Sequence, residues 1–456
     1  MANPSLSEYL AQSTRGLYSS VFGADYLQKT GAGVGTPFTV DGVGTGIFDT
    51  TYGRKVWQAL NNQTRFFNAI PRTVWGSTAG WRIRTDRGTN RSSPVTETGA
   101  LPSVDISNIE TVSSLPRIVS TTFGASVKSV FTAQLEGGIG DVLAMENENA
   151  QLDHVKEMNE ELLAGSSTIV SATTGQTTTT LPDLTVAKFY LGDKIAFYDN
   201  TGATTFTDSA GLEISANGGT TVVTHASTAA ITVTDGDLAF VISRGGMTSI
   251  DDIVTEDGMG IAGVSAGVRV GAYDLSTGGG RAANAWNAAA YSNGNDGTAR
   301  DLSLNLIDNS IQNIRTNGGE PKLILLGHDQ YFKLERLLNS QQRYMGQEEY
   351  QVGVGAERTF PGTRTGLVLA TYQGIPILPD ADVSKSIDSS NNALGSKVYV
   401  LDTDYLEIAV AQPTQYIENR DYFAANALVV RGLLYTMGEM RCKNFFVQAK
   451  IADLDT

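Results

Sequence analysis

Apolar residues recur at helical spacing in one long stretch of the chain, residues 140–165. Six of them fall on one stripe at steps of three, four or seven residues: Val142, Met145, Leu152, Val155, Met158 and Leu162. This spacing predicts an amphipathic α-helix with one face turned toward a core. We expect the helix to begin near Gly140 or Asp141 and to end at Gly165, because glycine readily adopts the left-handed conformation that closes a helix.

Upstream of this helix the pattern of apolar positions changes twice. Residues 49–70 carry apolar residues close to helical spacing and stop at Pro71, so they predict a short helix. Residues 75–129 alternate apolar and polar side chains at both ends and have no apolar face in the middle, which predicts a long two-stranded β-hairpin. Such a hairpin is not stable alone in water and needs a partner surface. The first 47 residues are punctuated by glycine and predict an extended arm.

Downstream of the long helix, residues 166–245 are rich in threonine, with short alternating runs between turn sequences such as DNTG and SANGG. This pattern predicts an inserted small antiparallel β-sandwich or barrel. From residue 246 onward helical and strand patterns mix. Ile307, Ile311 and Ile314 predict the buried face of a helix stopped by a double glycine, PKLILLG predicts a buried strand and HDQYFKLERLLN a second helix. Strand patterns return from residue 365 onward, so this part predicts an α+β unit with a mixed or antiparallel sheet.

The charge balance limits the kinds of partner that the chain can bind. The chain has 33 basic and 48 acidic residues, a net charge of −15, which argues against a surface built mainly to bind nucleic acid. The charges are also segregated, because the hairpin begins with four arginines: Arg82, Arg84, Arg87 and Arg91. The long helix carries seven acidic residues: Asp141, Glu146, Glu148, Asp153, Glu157, Glu160 and Glu161. The sequence thus places a basic hairpin next to an acidic helix.

No arrangement of side chains predicts a catalytic or metal site. His154 shares a helical face with Glu157 and Glu161 and could help to chelate a divalent cation. However, Gln151 stands where a Glu-x-x-His motif needs its glutamate, so a solvated or interface-facing acidic helix is the favoured interpretation. The single cysteine, Cys442, cannot form an internal disulfide, and no Walker, dinucleotide-binding or Gly-x-Ser-x-Gly motif occurs. We therefore expect no enzyme activity, no cofactor and no bound metal.

The sequence also predicts no signal peptide and no membrane association. Its N-terminal residues contain no basic segment followed by an apolar run. A membrane-spanning helix needs about 18 or more consecutive apolar residues, and no such stretch occurs in the chain.

The order of these parts resembles the major capsid proteins of tailed bacteriophages and their archaeal relatives, which share the Hong Kong 97 fold with encapsulin shells. The residues that carry the resemblance are the hairpin AGWRIRTDRGTNRSSPVTETG, the helix GDVLAMENENAQLDHVKEMNEELLAGS, the segment LIDNSIQNIRTNGGEPKLILLGHDQYFKLERLL and the closing ALVVRGLLYTMGEMRCKNFFVQAKIAD. The resemblance implies an α+β, Hong Kong 97-like capsid fold with an extended N-terminal arm, a long extended-loop hairpin, a spine helix and an inserted small all-β domain.

The resemblance also implies a division of the chain into domains. The expected segments are an arm and short helix (1–74), the extended loop (75–129), the peripheral domain with the spine helix (130–165), the inserted β-domain (166–245), the axial domain (246–412) and strands returning to the peripheral and axial domains (413–456). The arm is too short and glycine-rich for a helical scaffold, so we expect no large cleaved segment. The part of the extended loop between Trp75 and Val127 has no lysine, which argues against the lysine–asparagine cross-link that some relatives form.

The function that the resemblance implies is that of a major capsid protein. Such a protein self-assembles into the hexamers and pentamers of an icosahedral virus head around double-stranded DNA, which it encloses without sequence-specific binding. The other expected partners are scaffolding, portal and cement or decoration proteins, and the expected location is the virion, after assembly in the host cytoplasm. Two alternatives stay open: an encapsulin-like shell that holds an enzyme cargo, and a phage tail or fibre protein.

The segregated charges suggest how neighbouring subunits would meet. We hypothesise that the arginines of one hairpin dock near the acidic helix of the next subunit. The residues concerned are Arg82, Arg84, Arg87 and Arg91 on the hairpin and Glu146, Glu148, Asp153, Glu157 and Glu160 on the helix.

Overall fold

A computed structural model describes the chain in segments. These are residue 60 and residues 64–76, 80–84, 94–102, 107, 109–133, 141–165, 167–169, 178–180, 189–198, 206–217, 222–225, 238–254, 274–275, 291–293, 299–339, 349–351, 359–361, 371–387, 393–420 and 428–456. The predicted arm, most of the predicted helix over 49–70, Arg87 and Arg91 lie outside the described residues.

The helices are α1 (Arg65–Ala69), α2 (Val127–Ala133), α3 (Val142–Leu163), α4 (Ile250–Ile253), α5 (Leu304–Thr316) and α6 (His328–Asn339). The strands of the first half are β1 (Arg72–Val74), β2 (Gly80–Arg84), β3 (Ile109–Ser113), β4 (Arg117–Ser126), β5 (Ser167–Ile169), β6 (Thr178–Thr180), β7 (Lys194–Tyr198), β8 (Phe206–Asn217), β9 (Val222–His225) and β10 (Leu238–Ser243). Within the helices described, none combines the length and apolar character needed to cross a bilayer.

The strands of the second half are β11 (Asp274–Leu275), β12 (Tyr291–Asn293), β13 (Leu323–Leu326), β14 (Glu349–Gln351), β15 (Thr359–Pro361), β16 (Thr371–Tyr372), β17 (Ile375–Pro379), β18 (Lys385–Ile387), β19 (Ala393–Ser396), β20 (Val398–Leu401), β21 (Leu406–Asn419), β22 (Val429–Cys442) and β23 (Gln448–Ile451). The chain divides into two compact units. Residues 119–156 and 412–436 belong to the smaller unit, and residues 63–118, 157–411 and 437–456 form the larger unit.

The long helix α3 starts where the sequence predicts, because the Asp141 carboxylate accepts hydrogen bonds from the backbone N–H groups of Leu143 and Ala144. The predicted apolar stripe is only partly correct. Val142, Met158 and Leu162 are buried, whereas Leu152 is 41% exposed. The buried stripe in the middle of the helix runs instead through Ala150, His154 and Met158, at steps of four residues. Two of these positions are not large apolar residues, so the spacing of large apolar residues alone placed the stripe wrongly.

The larger unit is organised around a mixed six-stranded sheet with the order β12-β23-β20-β13-β17-β16. β13 pairs parallel with β17 and antiparallel with β20, which pairs antiparallel with β23. Alternate residues of β13 and β20 join one core with α5 and α6; that core includes Ile307, Ile311, Ile314, Ile324, Leu326, Leu334, Val398 and Val400. Both helices therefore cover the same face of the sheet. The predicted α+β architecture with a mixed sheet is confirmed for this part of the chain.

Two further sheets lie between the N-terminal region and the mixed sheet along the chain. β2 pairs antiparallel with β3, from Gly80 opposite Ser113 to Arg84 opposite Ile109, as expected for the ends of a hairpin. β11 adds to the free edge of β3, a pairing that the sequence did not predict. Between α3 and α4, a six-stranded sheet has the order β5-β10-β7-β8-β9-β6, and its neighbouring strands run antiparallel.

The double glycine that ends α5 meets two separate requirements of the backbone. Gly318 has a φ of 84°, in the left-handed region that a residue with a Cβ adopts only with strain. Gly319 donates its N–H to the carbonyl of Ile314, and a Cβ on Gly319 would lie 2.6 Å from the Cβ of Val447. Val447 is fully buried and β-branched, so it cannot turn aside. The helix end thus packs directly on the C-terminal part of the core.

We expect Gly319→Ala to lower the free energy of unfolding by about 1–3 kcal/mol, because the added methyl group overpacks a closed core. Chemical denaturation of the full chain measures this change. Gly76→Ala is the matched control, since a Cβ there would meet no atom within 4 Å and Gly76 lacks a positive φ. Equal unfolding free energies for the two variants would contradict the close approach of Gly319 to Val447.

Candidate assembly surface

The basic side of the candidate surface is an exposed face of the hairpin. Arg82 and Arg84 are both exposed on β2. They are two residues apart, so their side chains leave the same face of the strand. Thr111 and Ile109 are their partners across the pairing with β3, and Ile109 is itself exposed. This part of the hairpin therefore presents two guanidinium groups beside an apolar side chain.

The acidic side of the candidate surface is the outward face of α3. Glu148 and Asp153 are exposed, and Glu146, Glu157 and Glu160 are half-buried. At 3.6 residues per turn, Glu146, Asp153, Glu157 and Glu160 point to one side of the helix and form an acidic stripe. Glu161 does not belong to this stripe, because its side chain is buried. The sequence had counted Glu161 with the solvated residues, and that prediction was wrong.

His154 is a structural residue of the smaller unit. Its side chain is 1% exposed, and its two ring nitrogens each meet a threonine hydroxyl. Nδ1 lies 2.9 Å from Thr121 Oγ1, and Nε2 lies 2.8 Å from Thr436 Oγ1, which in turn contacts Thr414 Oγ1. Burial lowers the pKa of His154, so the ring is neutral at pH 7. The ring therefore joins α3 to β4 and β22 within the smaller unit.

These contacts leave His154 no free ring nitrogen with which to bind a cation. In the portions of the chain that the structure describes, no three His, Cys, Asp or Glu side chains converge in a way that could hold a metal ion. The glutamate at i+7, Glu161, instead turns toward the backbone of Met247.

A buried arginine connects several segments at the end of α3. Arg244 Nε lies 2.8 Å from Asp252, and Arg244 Nη1 lies 3.1 Å from Asp193. The same guanidinium donates to the carbonyl of Gly165, just beyond α3. Burial acts to lower the pKa of Arg244, but the charges of Asp252 and Asp193 outweigh it and raise the pKa, so the group stays charged. One cation thus joins the chain entering the antiparallel sheet to the chain leaving it.

The backbone that follows Arg244 is held by carboxyl groups. The N–H of Gly245 donates to Asp193, that of Met247 to Glu161, that of Thr248 to Glu439 and that of Ser249 to Asp252. We call residues 245–249 the junction segment. Only the last contact had a sequence signal, because Ser249 and Asp252 form a capping box at α4.

The far face of the mixed sheet carries a second buried charge cluster. Asp251 accepts hydrogen bonds from Lys397 Nζ at 2.8 Å, Lys450 Nζ at 3.1 Å and the Tyr399 hydroxyl at 2.9 Å. Tyr399 and Lys450 alternate with residues that face α5 and α6, so they point to the opposite face. The sequence carries no local signal for this cluster, since Asp251 and its partners are far apart along the chain.

Comparisons with known proteins identify what the chain resembles. A family model described as the SU10 major capsid protein matches residues 30–454. No curated protein sequence matches the chain. A chain of the cyanophage A-1(L) capsid asymmetric unit is similar with a TM-score of 0.53 at 13% identity, over 89% of this chain and 98% of that one. At this identity the likeness shows the fold alone.

Two other solved structures are similar at lower scores. A chain of Mycobacterium phage Bobi has a TM-score of 0.42 at 8% identity, over 89% of this chain and 95% of that one. The SrpI encapsulin of Synechococcus elongatus has a TM-score of 0.39 at 8% identity, over 89% of this chain and 93% of that one.

We expect Arg244→Met to lower the free energy of unfolding by about 3–5 kcal/mol, because it leaves Asp193 and Asp252 buried without their cation. Lys443→Met is the control. It removes an ion pair with Glu407 at the surface and is expected to cost at most about 1 kcal/mol. Denaturant titration of both variants measures the difference. An Arg244→Met protein as stable as the control would show that the buried cluster does not stabilise the fold.

Proposed function

The chain belongs to the family of SU10 major capsid proteins, and on this basis we propose that its copies self-assemble into the hexamers and pentamers of an icosahedral virus head. The match of the family model over residues 30–454 is the observation that carries the proposal. The fold shared with the cyanophage capsid chain supports it. As a major capsid protein of a tailed phage, the chain is a structural component of the virion.

We further propose that the parts of the structure correspond to the parts of the Hong Kong 97 fold that the sequence resembles. We assign α3 as the spine helix, the hairpin of β2 and β3 as the extended loop, and the mixed sheet with α5 and α6 as the axial domain. The antiparallel sheet of β5 to β10 is assigned as the inserted domain, which the shell would display. The domain boundaries proposed for these parts are 75–129, 130–165, 166–245 and 246–412, with 413–456 returning to the peripheral and axial domains.

The proposed head encloses double-stranded DNA, and its assembly in the host cytoplasm involves scaffolding and portal proteins, with cement proteins as further partners. A net charge of −15 suits this role, because an acidic lining does not trap the genome that it encloses. The chain's role is structural rather than catalytic.

The proposed contact between subunits joins the basic face of the hairpin to the acidic stripe of α3 on the next copy. Arg82 and Arg84 are exposed on one face of β2, and Asp153 is the exposed member of the acidic stripe on α3. Exposed ion pairs contribute only about 0.2–1 kcal/mol each, so these contacts would fix the register of neighbouring subunits. Repetition around a shell would multiply their effect on assembly.

We expect electron microscopy of the purified full chain to show closed icosahedral particles. Particles from infected cells should contain nuclease-protected double-stranded DNA. Closed particles that hold a protein cargo and no DNA would indicate an encapsulin-like shell. Extended fibres or tubes would indicate a tail protein, and either result would overturn the proposed function.

Reversing the charge of the hairpin should block assembly. We expect the triple variant Arg82→Glu, Arg84→Glu, Arg87→Glu to remain folded by circular dichroism but to form no particles by sedimentation, because the stripe on α3 then faces like charges. Lys385→Glu, an exposed change away from the hairpin, should assemble normally.

A compensating variant tests the pairing itself. Combining the triple variant with Glu146→Lys and Asp153→Lys, two changes on the acidic stripe, should restore particles at least in part. Normal particles from the triple variant alone would refute the proposed contact.

A further inference from the structure

The junction segment is held by side chains from distant parts of the chain. Its first residue, Gly245, follows the antiparallel sheet and its last, Ser249, caps α4. Glu161 comes from the last turn of α3 and Glu439 from β22, and they accept the N–H groups of consecutive residues, Met247 at 2.9 Å and Thr248 at 2.7 Å. The two glutamates therefore fix where the antiparallel sheet rejoins the rest of the larger unit.

The Glu161 carboxyl is enclosed too closely for hydration. A Cβ placed on Gly246 would lie 2.6 Å from Glu161 Oε2, so the backbone of Gly246 lies directly against the carboxyl. The residue is 7% exposed. A carboxylate held in such a space loses most of the water that would stabilise its charge.

The charges around Glu161 do not compensate for this loss. Glu157 faces it from the preceding turn of α3, and Asp193 faces it from the loop before β7. Tyr190 contributes a buried hydroxyl near Glu161 and Glu157. The nearby cation is Arg244, which is already bound to Asp193 and Asp252.

Burial raises the pKa of Glu161 to about 8, with Glu157 and Asp193 acting in the same direction against Met247 N–H and Arg244. Burial also raises the pKa of Glu439 to about 7, against the hydrogen bonds from Thr248 and the charge of Arg117. A carboxyl whose pKa is higher in the folded chain than its ordinary value of 4.5 stabilises the fold at low pH. This stabilisation is lost as the pH rises from about 4.5 through about 8.

We propose that the junction segment is a proton-controlled latch, which holds the antiparallel sheet at the end of α3 while Glu161 carries a proton and opens when Glu161 loses it. In the closed state Oε2 of the neutral carboxyl accepts the Met247 N–H. Loss of the proton places a negative charge beside Asp193 and Glu157 in a dry site. Outward movement of Glu161 brings its carboxylate into water, away from Asp193 and Glu157, and releases the Met247 N–H. The latch is a property of the folded chain and does not depend on the proposed assembly.

Trypsin can report the state of the latch, because the Arg244–Gly245 bond lies at its edge and Arg244 is 5% exposed. Brief digestion of the full chain, with the fragment ending at Arg244 measured by mass spectrometry, gives the open population when opening is fast relative to cleavage. Rates are normalised at each pH to an unstructured peptide of the same sequence. We expect the normalised rate to rise about tenfold between pH 6.5 and pH 9.

Three variants make the test specific to Glu161. Glu161→Gln, which is neutral at every pH, should abolish the rise, whereas Glu320→Gln, an exposed change in the loop after α5, should keep it. Gly246→Ala displaces the carboxyl by steric contact and should give fast cleavage already at pH 6.5. No rise in the natural chain, the same rise in Glu161→Gln, or slow cleavage of Gly246→Ala at pH 6.5 would each overturn the proposal. If Glu161→Gln fails to fold, the results for the natural chain and for Gly246→Ala still test the proposal.

Discussion

The larger unit depends on how it neutralises charge away from water. Arg244 is the clearest case, because one guanidinium meets two aspartates and a backbone carbonyl in a space closed to solvent. Burying an ion costs several kcal/mol unless the partners around it are complete. The guanidinium of Arg244 and its partners therefore hold the chain before and after the antiparallel sheet together while the junction segment is closed.

The same principle governs the far face of the mixed sheet. Its near face is apolar and packs against α5 and α6, as in an ordinary α+β core. On its far face, Lys397 and Lys450 share the carboxylate of Asp251. Apolar contacts tolerate small changes of register, whereas hydrogen-bonded charges do not. The near face therefore supplies most of the hydrophobic burial, and the ion pairs on the far face fix the position of α4 on the sheet.

The sequence predicted those elements whose burial pattern is local. Ile307, Ile311 and Ile314 define the buried face of α5 by spacing alone, and the continuous apolar run of β13 defines a buried strand. The double glycine after α5 and Asp141 before α3 predicted helix ends through backbone chemistry that is also local.

The prediction failed where a polar residue finds its partner far along the chain. His154 needs Thr121 and Thr436, and Glu161 needs the backbone of Met247. Nothing within one helical turn of either residue reveals these partners, so Glu161 was placed on the solvated face and the contacts of His154 were not predicted. In the candidate surface, Arg82, Glu148 and Asp153 are exposed, as the charge pattern of the sequence suggests. Contacts between copies arise only on assembly, so the sequence and structure of one chain do not define them.

The strand order of the mixed sheet also bears on how the protein is made. β23, which begins at Gln448, lies inside the sheet between β12 and β20. A ribosome synthesises β13 more than a hundred residues before β23. The sheet is therefore incomplete until the end of translation, and the apolar faces of α5 and α6 cannot be fully covered before then. The larger unit can close only after its last strand leaves the ribosome. Until then the nascent chain exposes an open sheet edge, and chaperone binding during this interval would protect it from aggregation.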